Sequence, residues 1–127
     1  VAIVGIGTDI VRVERFQRFI DRGETALLSR LFTEHELGYA LPRKGAAQHL
    51  AARFASKEAF VKALGLGLRD GITWQDMEVR NDDLGCPSLH LSGRAAEIQL
   101  ERKLSPAYLS YSHEQEYAVA TVVLERA

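Results

Sequence analysis

The stretch Ala46–Leu64 constrains the fold more than any other part of this chain. It is the longest helical pattern present, rich in alanine, and Gly65 and Gly67 follow it as C-terminal stops. Leu50, Phe54, Val61 and Leu64 form an apolar stripe along it, so the helix requires a core to lie against. At 127 residues the chain can bury one such core, and residues 1–127 are expected to form one domain.

The remaining segments supply partners for that helix. Ala2–Ile6 is a short apolar run closed by Gly5 and Gly7, read as a buried strand entering a glycine turn. Val11–Ile20 reads as a helix with Val13, Phe16 and Ile20 inward and Arg12, Arg15, Arg18 and Arg22 outward. Glu24–Phe32 continues helically. Thr33-Glu34-His35-Glu36 fits a capping box that opens a further helix, ended by Pro42. A strand at Asp76–Arg80, a turn at Asn81–Gly85 and a strand at Ser88–Leu91 form a hairpin. Gly93–Leu104 is a helix broken by Pro106. Tyr108–Ser112 and Glu116–Leu124 are strands joined at His113-Glu114-Gln115. The last of these is apolar on both faces, which places it centrally in a sheet or against a partner subunit. The fold class is α+β, a small sheet of short strands with packed helices around one long central helix.

Composition removes several function classes. Hydrophobic residues make up 46% and charged residues 26%, a soluble globular balance, and the net charge of −1 argues against nucleic-acid binding by bulk electrostatics. No apolar run reaches transmembrane length, and Val1–Ile6 is too short for a signal peptide, so no membrane association is expected. The start at Val1 rather than methionine points to processing or trimming. The single cysteine, Cys86, cannot form an internal disulfide, which suits a reducing compartment such as the cytoplasm.

Two blocks carry the chemistry: Gly5-Ile6-Gly7-Thr8-Asp9-Ile10-Val11, and the run from Arg53 to Gly65. Asp9 at a strand-to-helix junction can be a plain N-cap, but the glycines also allow close approach of a phosphate or metal. Glu58 and Lys62 stand one helical turn apart, the spacing of an ordinary surface ion pair. Their company tilts the reading, because Arg53, Lys57 and Lys62 surround Glu58 among small alanines. Magnesium takes one or two protein carboxylates and fills its other positions with water and phosphate oxygens, a need that Asp9 and Glu58 together meet. His113 sits at a turn, and His113-x-x-Glu116 is no zinc spacing. Cys86 has no activating neighbour and reads as an inert thiol. The arginines at 12, 15, 18 and 22 form a basic stripe, either a solvated face or a dock for an acidic partner helix.

These blocks resemble the two signatures of the phosphopantetheinyl transferases, most closely the short holo-(acyl-carrier-protein) synthase type. Asn81–Pro87, Ser110-Tyr111-Ser112-His113 and Tyr117–Glu125 are similar to that family's later segments, so the likeness spans nearly the whole chain. The resemblance implies Mg²⁺-dependent transfer of 4′-phosphopantetheine from coenzyme A to a serine of an acyl carrier protein, releasing adenosine 3′,5′-bisphosphate, in support of fatty-acid or polyketide synthesis. It implies catalytic roles for Asp9, Glu58 and Lys62, with Asp9 and Glu58 as the metal ligands and Lys62 also on phosphate. Arg53, Gly65 and His113 join Lys62 in binding coenzyme A, and Arg15 with Arg22 meets the acidic helix of the carrier protein. It also implies a homotrimer with sites between adjacent subunits.

Two positions depart from the family pattern. Cys86 stands where a basic residue is common, and Leu66 replaces a small hydroxyl residue beside Gly65. Two other function classes share some of these features. A magnesium-dependent pyrophosphate hydrolase would use the same acids on water, and a non-enzymatic trimeric binding module would use the arginine helix alone.

Overall fold

The computed structural model of the chain describes residues 1–66, 68 and 70–127. The expected stop at Gly67 lies outside them. The long helix, α4 (Ala46–Leu64), has the predicted bounds and ends on Gly65 in the left-handed region at φ 79°. Its surroundings differ from the expected single stripe. Every residue from Leu50 to Lys57 is buried, two full turns of helix, so α4 is covered on all sides.

One of its covers is a three-stranded antiparallel sheet in the order β1 (Ala2–Arg12), β5 (Tyr117–Arg126), β4 (Tyr108–His113). β5 is the central strand, one of the two places its apolar character allowed. Ala118, Ala120, Val122 and Leu124 on one face are buried against α4, while its other face is more open, with Val119 39% exposed. The second cover consists of α1 (Val13–Asp21), α2 (Thr25–Leu31) and α3 (Glu34–Ala40), together with the hairpin β2 (Met77–Asn81) and β3 (Pro87–Leu91). α5 (Gly93–Glu101) packs beside a 3₁₀ turn at Trp74–Asp76. The capping box before α3 is formed as predicted: Glu36 N–H donates to Thr33 Oγ1, and Thr33 N–H donates to Glu36 Oε1. No helix among the described residues is long and apolar enough to cross a membrane.

Several local expectations need correction. There is no turn at Gly5 and Gly7, because β1 runs on to Arg12 and pairs with β5 without interruption from Gly5 to Arg12, after a register shift at Val4. Asp9 therefore lies within a strand rather than at a helix entrance, and α1 starts at Val13, not Val11. Arg12 consequently leaves the helical stripe and stacks on the Tyr117 ring, its guanidinium 5.2 Å from the centroid. α5 stops at Glu101, short of Leu104: Lys103 turns into the left-handed region at φ 56°, and Leu104 N–H bonds back to Gln99 C=O. His113 is the last residue of β4, and the turn begins after it.

Candidate functional site

Strand alternation turns Gly5, Gly7, Asp9 and Val11 toward α4, while Ile6, Thr8 and Ile10 face away. The glycines are there for space. A Cβ on Gly7 would lie 1.9 Å from Ala59 O, and one on Gly5 would lie 2.2 Å from Ala63 O. Strand and helix thus touch backbone to backbone, and Ala59 and Ala63 supply the matching small face. This seam, rather than a phosphate or a turn, accounts for the two glycines. It also brings Asp9 to the flank of α4 that carries Glu58 and Lys62.

Lys62 Nζ donates to Asp9 Oδ1 at 2.9 Å and to Thr8 C=O at 3.1 Å, with its side chain 52% exposed and that of Asp9 only 16%. Glu58 is half-buried. Burial, and then the negative charge of Asp9, raise its carboxyl above the ordinary value, while Lys62 and Arg15 pull it down. The Lys62 ammonium is pushed up, chiefly by its hydrogen bond to Asp9. Asp9, Glu58, Lys62 and Arg15 thus form one electrostatic cluster drawn from β1, α4 and α1. Arg15 is held there by aromatic faces, its guanidinium 5.1 Å from the Phe54 centroid and 5.7 Å from that of Phe16. Arg22, the α1 C-cap, is exposed at the far end of that helix.

The structure separates two residues expected beside Glu58. Lys57 points into the core on another face of α4. Its ammonium, fully buried, donates to Glu36 Oε1 at 2.6 Å, Leu31 C=O at 2.9 Å and Trp74 C=O at 3.1 Å. Burial lowers its pKa despite that partner. Adjacent helical residues diverge by about 100°, so Lys57 and Glu58 cannot share a face.

Arg53 is also withdrawn, being 1% exposed. Its Nη2 donates to Asn81 Oδ1 at 2.6 Å, and its guanidinium lies 4.4 Å from the Tyr39 centroid. Its Nε is buried without a hydrogen-bond partner among the described residues. Above it runs an aromatic row, Tyr39 to His49 at 5.7 Å and His49 to His113 at 5.4 Å, with Tyr111 stacked on His113 at 6.4 Å. Asn81 Nδ2 ties Tyr111 Oη to this group at 2.8 Å. Burial, and then the charges of Arg53, His113 and Arg43, lower the His49 pKa, and the guanidinium groups of Arg43 and Arg53 on the Tyr39 ring make this corner positive. His49 escaped sequence reasoning, although its spacing of four from Arg53 on a predicted helix was a usable signal. Tyr39 and Asn81 come from other elements, and no spacing along the sequence ties them to Arg53.

The described residues contain no cluster of three or more histidine, cysteine or acidic side chains able to hold a metal. Two carboxylates, repelling one another and flanked by cations, are a hard-oxygen donor pair that fits Mg²⁺, which retains water and takes phosphate oxygens as its other ligands. Cys86 is an exposed free thiol.

Residues 5–122 match the family model of the 4′-phosphopantetheinyl transferase superfamily. A holo-[acyl-carrier-protein] synthase of Trichlorobacter lovleyi is 58% identical over 97% of this chain and 98% of its own. Among solved structures, that of a Neisseria meningitidis holo-[acyl-carrier-protein] synthase superposes with a TM-score of 0.88 at 35% identity, covering 98% of this chain and 99% of that one. A Bacillus anthracis holo-(acyl-carrier-protein) synthase, solved in complex with CoA (3′,5′-ADP), gives a TM-score of 0.81 at 39% identity with complete coverage of both chains.

Proposed function

The chain belongs to the 4′-phosphopantetheinyl transferase superfamily, and from that premise we propose that it converts apo acyl carrier protein to the holo form with coenzyme A as donor and Mg²⁺ as cofactor. The observation that carries this reading is the juxtaposition of Asp9, Glu58 and Lys62 across the β1–α4 seam. The serine oxygen of the carrier protein bonds to the phosphorus that bears pantetheine, and the bridging P–O bond of the pyrophosphate breaks. Its electron pair departs on adenosine 3′,5′-bisphosphate, and the serine proton passes to an acceptor within hydrogen-bond reach.

Such a reaction asks the protein mainly to position the reactants and neutralise charge. Asp9 and Glu58 would hold Mg²⁺, which when bound supplies charge stabilisation to the pyrophosphate oxygens. Lys62, already at the mouth of the pair and half-exposed, contacts phosphate. The backbone turn at Gly65 lies one turn further along the same helix. The positive aromatic row suits the nucleotide end of coenzyme A, with His113 at its rim and Arg53 contributing its charge from beneath. Arg15, fixed on Phe54 beside the acids, meets the acidic helix of the carrier protein next to the serine, and Arg22 extends that contact.

The outer sheet face supports a homotrimer. Ile6, Ile10 and Tyr108 are more than half exposed, and they flank Val119, Thr121 and Val123 in register. Sister subunits covering this face would complete the sites at their borders. The proposed setting is the cytoplasm, supplying carrier protein for fatty-acid or polyketide synthesis.

The test is intact-mass spectrometry of apo acyl carrier protein incubated with the chain, coenzyme A and Mg²⁺. One added phosphopantetheine, lost with a chelator, is the expected result. Consumption of coenzyme A without a mass shift would mark a hydrolase instead, and an active Asp9→Ala or Glu58→Ala variant would overturn the metal assignment.

A further inference from the structure

An amphipathic helix is held in rotation by its apolar stripe, but α4 has no such guide. Its residues are buried from Leu50 through Lys57 on every side, so apolarity alone does not say which flank faces β1. Rotation by one residue, about 100°, would carry Glu58 away from Asp9. Something else must set the angle.

Two features can. One is the small-residue seam, where Ala59 and Ala63 meet Gly7 and Gly5. The other is Lys57. Its three ammonium protons have three acceptors, namely Glu36 Oε1, Leu31 C=O and Trp74 C=O. The Glu36 carboxylate is equally complete: Oε1 also takes Thr33 N–H at 2.9 Å, and Oε2 takes Val79 N–H at 2.9 Å. The pair therefore ties α4 to the end of α2, the start of α3, the 3₁₀ turn and β2 at once. Residues 57 and 59 lie about 200° apart around the helix, close to opposite sides, and Glu58 falls on the flank between them. The helix is gripped from two sides with its acid pointing out of the gap.

We propose that the buried Lys57–Glu36 pair sets the rotation of α4 that holds Glu58 opposite Asp9, making Lys57 a positioning residue of the transfer reaction and not one of the cations that touch phosphate. Buried ion pairs are poor stabilisers, since well-packed apolar replacements are often equal or better. Their attested use is to specify one arrangement among several, which is the task α4 presents. The proposal rests on the metal role given above to Asp9 and Glu58.

The experiment compares wild type with Glu36→Gln/Lys57→Met, which removes both charges together. Thermal melting is measured alongside the Mg²⁺ concentration for half-maximal transfer and the KM for coenzyme A. Expected is a folded protein whose half-saturating Mg²⁺ rises by about tenfold, as when an outer-shell contact that orients a ligand is lost. A folded variant with wild-type Mg²⁺ dependence, or a uniform fall in kcat with that dependence unchanged, overturns the proposal. Should the double variant not fold, Glu36→Asp, which keeps the charge but shortens the tether, decides by the same readout and the same two outcomes. A wild-type enzyme active without metal would instead sink the metal assignment itself.

Discussion

Replacing Gly7 by alanine puts the strand–helix seam to a quantitative test. Gly7 does not have the positive φ that would itself demand glycine, so an added methyl acts through space alone. Its Cβ would lie 1.9 Å from Ala59 O, 2.7 Å from Ala63 N and 2.9 Å from Ala59 C, all of them backbone atoms that no rotamer change can move. Restoring ordinary contact at 3.4 Å requires about 1.5 Å of separation between β1 and α4. Overpacking of this kind costs about 3 kcal/mol, a large part of the 5–15 kcal/mol that holds a typical domain together.

Activity should suffer more than stability. Gly7 is two residues from Asp9, and Ala59 is next to Glu58, so the separation opens directly between the two acids. A misplacement near 1 Å can remove about 100-fold from a rate, and kcat/KM for apo carrier protein should fall at least that far. Urea unfolding gives the stability, and steady-state transfer at saturating Mg²⁺ gives the activity. Gly38→Ala is the control. Gly38 lies exposed inside α3 with nothing within 4 Å of its added carbon, so it should gain about 0.5–1 kcal/mol and keep full activity. Wild-type stability and turnover in Gly7→Ala would refute the claim that backbone contact sets the acid-to-acid geometry.

Further outcomes follow from other parts of the structure. Arg15→Glu should raise the KM for carrier protein while leaving that for free coenzyme A little changed, and wild-type turnover should fall with salt. Normal carrier kinetics would move the docking surface away from α1. Ile10→Asp and Val119→Asp, on the outer sheet face, should yield monomers in sedimentation and lose transfer if the sites lie between subunits; unchanged assembly would refute that face as the contact. Folding favours neutral His49, so the native state binds fewer protons than the unfolded chain below the ordinary value of 6.5. Stability should therefore decline as pH falls from that value toward the lower folded pKa. His49→Gln should flatten this part of the urea-unfolding profile.

Legibility in the sequence followed the range of the interactions involved. α4 and the α3 capping box were readable because caps and helical runs are local, and β5 declared its central place through apolarity on both faces. Asp9 and Glu58 were readable as a pair from donor chemistry and the family resemblance, not from spacing, since they stand 49 positions apart in the sequence. The errors have one physical source. Gly5 and Gly7 read as a turn because glycine's freedom is a local property, whereas here their missing side chains matter to a helix more than 50 positions away. Lys57 reads as a site cation because the sequence shows it next to Glu58. Its actual partner, Glu36, comes from another helix that spacing could not reveal.

The acids themselves bear on how far this fold is shaped by stability. Glu58 sits half-buried beside a like charge, and its raised pKa means that the native state holds its proton longer than the unfolded chain does. Above the folded pKa the ionised carboxylate therefore penalises folding, and the penalty disappears as pH falls through the folded pKa toward the unfolded value of 4.5. Solvent reaches this side chain, so screening reduces the penalty. Glu58→Gln should consequently raise the urea midpoint of the chelated protein at pH 7, lose that advantage near pH 4, and transfer no phosphopantetheine. A variant less stable than wild type at neutral pH would mean that Lys62 and Arg15 already over-compensate the charge. In that case the cluster would be a structural ion network, and the case for a divalent cation between Asp9 and Glu58 would lose its electrostatic basis.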